Sequence, residues 1–217
     1  MTEWTCKKTT NYMSLLSGSV GVKLPSMRWQ SLQKPTVFIL ALLPFLLLLQ
    51  SLLTGQLGPN PIDTLTDQTG TFAIRMLLIS LMLTPLRWLL KNTWPIRFRR
   101  MIGLFAFFYA SLHVTTYLLL DQQFDIAAIW SDLLERPYIA AGTVAFLVLL
   151  PLAVTSNRRM VKRLGVRWLS LHRWVYIAGT AAVVHYVWLA KGDLIEPIVY
   201  LVLLLVLFSY RLVKTLR

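Results

Sequence analysis

The chain has 217 residues, of which 56% are hydrophobic and 14% are charged, and its mean hydropathy is +0.61. Because a soluble domain of this length is seldom so apolar, the composition favours an integral membrane protein and leaves no room for a second globular domain. The formal net charge of +13 is typical of nucleic-acid-binding proteins, but the distribution of the charges, described below, excludes that class.

The N-terminal segment Met1–Lys34 is polar and has no short apolar core ahead of a cleavage site. We therefore predict that it is a cytoplasmic tail rather than a signal peptide. The single cysteine, Cys6, lies in this tail and excludes both an internal disulfide framework and a cysteine-rich metal site. The membrane domain is expected at residues 35–217.

Six apolar segments follow, each long enough to cross ~30 Å of hydrocarbon, which takes a helix of about 20 mostly apolar residues. They are Pro35–Leu53, Thr71–Leu90, Met101–Leu120, Tyr138–Val154, Trp168–Ala190 and Ile195–Val213. Between them, Gly55–Gly70 is predicted to be a loop because it is rich in Gly, Pro and Asp. Phe124–Leu134 is predicted to be a short surface helix. The expected fold is an all-α bundle of six transmembrane helices without an internal repeat.

The charged residues predict the orientation of this bundle. If the N-terminus lies inside, 18 of the 22 basic residues lie inside and eight of the nine acidic residues lie outside. The inside basic residues are Lys7, Lys8, Lys23, Arg28, Lys34, Arg87, Lys91, Arg97, Arg99, Arg100, Arg158, Arg159, Lys162, Arg163, Arg167, Arg211, Lys214 and Arg217. The outside acidic residues are Asp63, Asp67, Asp121, Asp125, Asp132, Glu135, Asp193 and Glu196. By the positive-inside rule both termini are cytoplasmic, so the net charge reflects membrane topology rather than nucleic-acid binding.

All three histidines lie in predicted spans: His113 in the third, and His172 and His185 in the fifth. A histidine inside a span is a functional candidate, although it can also serve only to hydrogen-bond neighbouring helices. The third and fifth spans run in the same direction, so His113 and His185 can share a depth in the outer half. At ~1.5 Å per residue, His172 lies about 20 Å nearer the cytoplasm than His185.

Arg99 is the candidate partner of His172 at the inner depth. It precedes His113 by fourteen residues, which places both within about 40° of one helix face. His172 and His185 are thirteen residues apart and therefore about 140° apart on an ideal helix. The arrangement thus needs a distortion near Gly179 or an irregular helix entry at His172. Arg99 also belongs to a basic cluster that the positive-inside rule explains without any functional role.

Imidazoles from two helices at one depth favour a haem site, because neutral imidazole is an axial haem ligand. No C-x-x-C-H motif is present, so the haem would be non-covalent and b-type. A zinc site or a proton relay fits less well because the spans offer no nearby carboxylate or thiolate. Sequence motifs of serine hydrolases, dinucleotide-binding domains and P-loops are absent. The small residues of Ala178–Ala182 are expected to let another helix or a flat macrocycle approach.

Four segments closely resemble the MsrQ family, formerly YedZ. They are NPIDTLTDQTGTFAIRMLLISLMLTPLRW (Asn60–Trp88), RRMIGLFAFFYASLHVTTY (Arg99–Tyr117), RPYIAAGTVAFLVLLPLAVTSN (Arg136–Asn157) and LGVRWLSLHRWVYIAGTAAVVHYVW (Leu164–Trp188). The resemblance covers roughly residues 38 to 212 and extends to the wider group of ferric-reductase-like transmembrane domains.

The resemblance implies a haem b subunit of the bacterial inner membrane. Its partner would be MsrP, a periplasmic molybdopterin enzyme that reduces methionine sulfoxide in oxidised envelope proteins. The electrons would come from the quinone pool or a cytosolic flavin reductase, and FMN is associated with the family. The acidic outer segments Gly55–Gly70 and Asp121–Glu135 are the expected docking surface for this partner.

The resemblance also implies that His113, His172 and His185 are haem ligands. In the wider group the third span usually carries two histidines fourteen residues apart, and here the first of those positions is Arg99. One or two haems are therefore expected, and the inner one would be held by His172 with Arg99, held by His172 with water, or missing.

Two other functions stay open at this point. A small permease could use the histidines and Arg99 to bind an anionic solute, but it would need a polar pathway and usually an inverted repeat. A stand-alone metalloreductase would use the same haems and pass electrons to an external metal ion.

Overall fold

The structure is a computed structural model that describes residues 27–190, 192 and 194–216. Most of the predicted tail, including Cys6, lies outside the described residues, as does Asp193 of the predicted outer acidic set. From Thr36 onward the chain forms one compact unit.

The described chain is all α-helical, as predicted. Its helices are α1 (Met27–Leu53), α2 (Pro61–Leu89), α3 (Arg99–Thr116), α4 (Ile126–Glu135), α5 (Pro137–Val154), α6 (Arg158–Leu164), α7 (Val166–His172), α8 (Val175–Leu189) and α9 (Ile195–Leu216). A 3₁₀ turn at Pro95–Arg97 precedes α3, and a π-helical turn at Tyr117–Asp121 extends it.

Five helical segments in the described chain are long and apolar enough to cross a membrane. They are Leu32–Leu53, Pro61–Leu89, Arg99–Asp121, Pro137–Val154 and Ile195–Val213. These segments coincide with five of the six predicted spans. Several such helices in one chain indicate a multi-pass membrane protein.

The predicted fifth span, Trp168–Ala190, is two helices rather than one. α7 ends at His172 and α8 begins at Val175, with a turn between them. α8 has 15 residues and is therefore about 22 Å long, shorter than ~30 Å of hydrocarbon. Six complete spans are thus not confirmed. The interruption falls directly after His172, whereas α8 continues through Gly179 without a break.

The predicted loop Gly55–Gly70 is wrong over its second half, because α2 already begins at Pro61. Proline is favoured at the first helical position, where its missing N–H is not needed, and Asp63 complements the positive helix N-terminus. The threonines of this stretch bond back to carbonyls in the preceding turn, as Thr69 does to the Leu65 carbonyl at 2.7 Å. The polar composition of this stretch suggested a loop, although its second half forms the first turns of α2.

The predicted surface helix Phe124–Leu134 is confirmed as α4. The Asp125 carboxylate accepts hydrogen bonds from the backbone N–H groups of Ala127 and Ala128 at 2.9 and 3.1 Å. This is the usual N-terminal cap of a helix.

Two helix pairs form the centre of the fold: α2 with α3, and α5 with α8. Leu77, Ala106, Leu149 and Ala178 form one buried cluster, with one residue from each of these four helices. Ala106 and Ala178 are both fully buried. Because alanine side chains are so small, the four helices approach closely where these residues meet.

Tyr109 connects α3 to α1. Its fully buried side chain donates a hydrogen bond to the Ala41 carbonyl at 2.7 Å and accepts one from the Phe45 N–H at 3.2 Å. Ala41 and Phe45 are four residues apart and would otherwise bond to each other within α1. The tyrosine hydroxyl therefore bonds to both ends of one turn of α1, next to Pro44, which has no N–H to contribute.

Replacing Tyr109→Phe is expected to lower the free energy of unfolding by about 1–2 kcal/mol, because the side chain loses its two hydrogen bonds to the backbone of α1. The measurement is the thermal unfolding midpoint of the protein purified in detergent. Tyr210→Phe, at an exposed position of α9, is the matched control and should leave the midpoint unchanged. Equal midpoints for Tyr109→Phe and the unaltered protein would contradict the role given to this hydroxyl.

Candidate cofactor site: a cavity between two histidines

A cavity of about 570 Å³ lies between α2, α3, α5 and α8, at the end of the helices where α2 and α5 begin. This volume is in the usual range for small-molecule sites, about 300–1,000 Å³. Most of its wall is apolar, with Leu77 and Leu149 at its base. The charged and aromatic polar residues that line it are Asp63, Asp67, Asp121, Arg136, Tyr117, Tyr138, Tyr186, His113 and His185.

His113 of α3 and His185 of α8 face each other across this cavity. The centres of their rings are 6.0 Å apart, and the ring planes are inclined by 75°. Both side chains are half-buried. The structure therefore brings together the two histidines that the sequence places at a common depth.

Each of these imidazoles is held by a backbone carbonyl. The Nδ1 atom of His113 lies 2.8 Å from the carbonyl oxygen of Thr66, and Nδ1 of His185 lies 2.6 Å from that of Tyr138. A carbonyl can only accept, so Nδ1 carries the proton in both rings. Nε2 then keeps its lone pair, which is the form of histidine that binds a metal while its other nitrogen donates to an outer partner.

A glycine lies one helical turn after each of these carbonyls. A Cβ atom added to Gly70 would lie 2.9 Å from Nδ1 of His113, and one added to Gly142 would lie 2.9 Å from Nδ1 of His185. A Cβ atom essentially never lies this close to another heavy atom. Any residue larger than glycine would therefore have to displace the imidazole.

The donor set fits a haem iron. Two imidazoles from different helices line a largely apolar cavity, and a haem iron takes two such ligands. A metal lies about 2 Å from an imidazole nitrogen, which is compatible with ring centres 6.0 Å apart. Among the residues that the structure describes, no group of three or more His, Cys, Asp or Glu side chains could hold a metal ion. The site is thus better suited to a metal that brings its own equatorial ligands than to a bare ion.

His172 lies apart from this pair and fastens α7 to the end of α5. Its Nε2 atom is 3.2 Å from the hydroxyl of Thr155, and its ring stacks on Trp168 with ring centres 3.9 Å apart. The hydroxyl of Thr155 donates to the Pro151 carbonyl at 2.6 Å, so Nε2 of His172 is the donor toward Thr155. Trp168 strengthens the same junction by donating from Nε1 to the Thr155 carbonyl at 3.1 Å.

Arg99, the predicted partner of His172, is half-buried at the start of α3. Its backbone carbonyl accepts a hydrogen bond from Ser80 of α2 at 3.2 Å. The charges of Arg99 and Arg100 lie close enough to His172 to act on it electrostatically. The structure therefore places the predicted inner pair in one region, without a direct hydrogen bond between these two side chains in the part of the chain it describes.

The predicted small-residue segment Ala178–Ala182 has two different surroundings. Ala178 and Gly179 are buried against other helices, since a Cβ on Gly179 would be 3.4 Å from Leu81 and 3.5 Å from Leu204. Ala182 lines the cavity. One end of the segment therefore allows helix packing, and the other leaves room for a ligand.

A polar network centred on Glu196 lies beside the cavity and is not anticipated from the sequence. The Glu196 carboxylate accepts hydrogen bonds from Arg75 at 2.5 Å, from the Tyr200 hydroxyl at 2.6 Å and from the Tyr186 hydroxyl at 3.1 Å. It connects α2, α8 and α9, and Tyr186 also lines the cavity. In the sequence, Arg75 is the residue that indicates such a network, because an arginine within an apolar span requires a polar partner.

Glu196→Ala is expected to destabilise the protein by about 1–2 kcal/mol, because Arg75, Tyr186 and Tyr200 lose a charged acceptor. The value allows for the partial exposure of the Arg75–Glu196 pair, 45% and 42%. The thermal unfolding midpoint measures the effect, with the exposed Glu135→Ala as control. The double variant Arg75→Leu/Glu196→Leu should recover part of the loss because no charge is left unpaired. An unchanged midpoint in Glu196→Ala would show that the network does not stabilise the fold.

Comparison with known proteins agrees with the character of this site. Residues 69–183 match the family model described as "Ferric reductase like transmembrane component". Several curated relatives carry the name "Protein-methionine-sulfoxide reductase heme-binding subunit MsrQ", among them the following three. The one from Rhodospirillum rubrum is 48% identical over 83% of this chain and 88% of the relative. Those from Herminiimonas arsenicoxydans and Azospira oryzae are 46% and 44% identical, over 86% and 89% of this chain and 87% and 84% of the relatives.

Proposed function

The chain belongs to the MsrQ family of heme-binding subunits with a ferric-reductase-like transmembrane domain, and we propose that it binds haem b between His113 and His185. We further propose that it passes electrons to a periplasmic methionine sulfoxide reductase. The observation that supports this most is the pair of imidazoles facing each other at 6.0 Å across a mostly apolar cavity. The names of the relatives assign haem binding to those proteins. In this chain, His113, His185 and the apolar cavity between their helices are suited to the same cofactor.

In this proposal the chain's own residues bind and orient the cofactor. His113 and His185 would hold the iron through Nε2, and their Nδ1–H bonds to the carbonyls of Thr66 and Tyr138 keep the rings in place. Leu77 and Leu149 exclude water from the base of the cavity. A bound haem supplies one-electron transfer, to which the protein contributes ligands, burial and orientation.

His172 is proposed as the ligand of a second, inner haem, with Arg99 beside it. The proximity of the Arg99 charge to His172 supports this assignment. Because Thr155 engages Nε2 of His172, a metal there would take Nδ1 or displace that hydrogen bond. The inner position therefore demands more rearrangement than the outer one.

The direction of electron flow is proposed from the distribution of charge. Asp63, Asp67 and Asp121 lie at the cavity end of the helices and are exposed, whereas Arg158 and Arg159 are exposed just after α5, at its other end. With the basic end in the cytoplasm of a bacterial inner membrane, both termini are inside and the His113–His185 site is near the periplasm. MsrP is then the acceptor, and quinones or a cytosolic flavin reductase are the donors.

FMN is proposed as a further cofactor from family membership, without an assigned residue.

Haem stoichiometry in histidine variants tests the ligand assignments. His113→Ala and His185→Ala should each lose the outer haem, whereas His172→Ala should lose only the inner one. The measurement is haem per protein from the pyridine haemochrome spectrum, with the exposed Thr115→Ala of α3 as control. A purified protein without b-type Soret and α bands, even after haem addition, would refute the proposed function.

Replacing outer acids tests the proposed docking end. Asp63→Asn, Asp121→Asn and Glu135→Gln together should slow electron delivery to MsrP by about tenfold at low salt, and by less at high salt, because attraction between charged surfaces is screened. The assay follows methionine sulfoxide reduction by MsrP with quinol-driven vesicles. Haem content is measured alongside.

The paired control for this experiment is Arg158→Gln/Arg159→Gln, which changes charge at the opposite end. Delivery that is unchanged by removing the acids would contradict docking at this end. Ferric ion reduction that proceeds equally well with and without the molybdoenzyme would instead favour a stand-alone metalloreductase.

A further inference from the structure

The histidine cavity is built from two copies of one helical hairpin. His113 bonds to the carbonyl of Thr66, and His185 bonds to that of Tyr138; in both cases the partner lies 47 residues earlier in the chain. The interval from Thr66 to Tyr138 is therefore the same as the interval from His113 to His185. The two glycines that contact the rings, at positions 70 and 142, are separated by this interval as well. We call this shared interval the repeat offset.

The sequence carries the same repeat. Residues 70–78, GTFAIRMLL, and residues 142–150, GTVAFLVLL, are separated by the repeat offset and share five of nine residues. The pattern A-x-x-x-A-x-x-H occurs at 106–113 and again at 178–185. The expectation that the chain has no internal repeat is therefore wrong. The repeat is inconspicuous in the sequence because the shared positions are few and are spread over two helices of each copy.

The two copies face each other at the centre of the fold. Leu77 and Leu149, and likewise Ala106 and Ala178, are equivalent pairs, and all four belong to one buried cluster. In each copy the bonded carbonyl lies near the start of the first helix and the histidine near the end of the last one. Equivalent helices of the two copies therefore run in the same direction, as in the parallel repeats of membrane proteins.

A helical carbonyl is normally shielded by the side chain one turn further along. The carbonyl of residue i already accepts from the N–H of residue i+4, and the Cβ of residue i+4 is tilted back toward it. Glycine at that position uncovers the second lone pair of the oxygen. The repeat places glycine there twice, after Thr66 and after Tyr138, which lets both imidazoles approach to hydrogen-bonding distance.

We propose that Gly70 and Gly142 are positioning residues of the haem site. Each lets an axial histidine bond to a helix carbonyl, so that Nε2 faces the iron and the hydrogen-bonded Nδ1–H strengthens the imidazole as a donor. A stronger donor stabilises ferric iron and lowers the midpoint potential. This inference rests on the proposed ligation of haem by His113 and His185.

Gly70→Ala and Gly142→Ala test the two positions separately. The added methyl group would meet the imidazole at 2.9 Å, so the ring must move and its bond to the carbonyl weakens. Each variant is expected to shift the midpoint potential of the outer haem in the positive direction, measured by optical redox titration of the purified holoprotein. Loss of haem from both variants, with the protein still folded by circular dichroism, would equally support the proposal.

Gly179→Ala is the matched control, since it lies in α8 and its methyl group would make only ordinary contacts at 3.4 and 3.5 Å. It should leave potential and haem content unchanged. Unchanged potential and haem content in both Gly70→Ala and Gly142→Ala would overturn the positioning roles. So would the same shift in all three variants, because it would reflect packing rather than contact with the histidines.

A measurement on the unaltered protein covers the case in which a variant does not fold. Nuclear magnetic resonance of the reduced protein with ¹⁵N-labelled histidine should show a slowly exchanging proton on Nδ1 of both axial rings. Rings without that proton would overturn the proposal. A wild-type protein that binds no haem would overturn the proposed function along with it, whereas haem-replete wild type with unaffected glycine variants would overturn the positioning roles alone.

Discussion

The hydrogen bond from an imidazole Nδ1–H to a helix carbonyl is the constraint on which the rest of this structure depends. It occurs twice, between His113 and Thr66 and between His185 and Tyr138. It requires the partner helices to approach closely, because an imidazole must reach the backbone itself. Small residues satisfy that requirement: glycine beside each ring, and fully buried alanines such as Ala106 and Ala178 where the four helices meet. The cavity is the space left between two hairpins held in this way.

The two hairpins are equivalent at the cavity and diverge at the opposite end. By the repeat offset, the position equivalent to His172 is Arg100, so one copy has an imidazole where the other has a guanidinium. The connection between helices differs as well: a short 3₁₀ turn leads into α3, whereas α6 and α7 precede α8. His172 is the last residue of α7, and its side chain forms a hydrogen bond with Thr155 at the end of α5. The cavity thus has two matched imidazoles, and the opposite end has one histidine under the electrostatic influence of Arg99 and Arg100.

Local patterns predicted most of the helices but not all of their ends. Apolar runs identified five segments able to cross a membrane, and the predicted surface helix Phe124–Leu134 corresponds to α4. The start of α2 was misplaced because its first turns carry Asp and Thr instead of apolar residues, although Pro61 is a favoured first helical residue. The thirteen-residue spacing of the two histidines required a distortion near Gly179 or an irregular helix entry at His172, and the structure has the break directly after His172.

The sequence by itself determined that the chain is a helical membrane protein with two histidines at one depth, because hydropathy, helix rise and chain direction are local or additive properties. Only the tertiary structure decided which atoms of those histidines are engaged. That outcome depends on the rotation and separation of neighbouring helices, which no single segment encodes. The same is true of Glu196, whose partner Arg75 lies on a helix that is distant in the chain. Likewise, the close contact of Gly70 and Gly142 with a histidine from another helix is evident only in the tertiary structure.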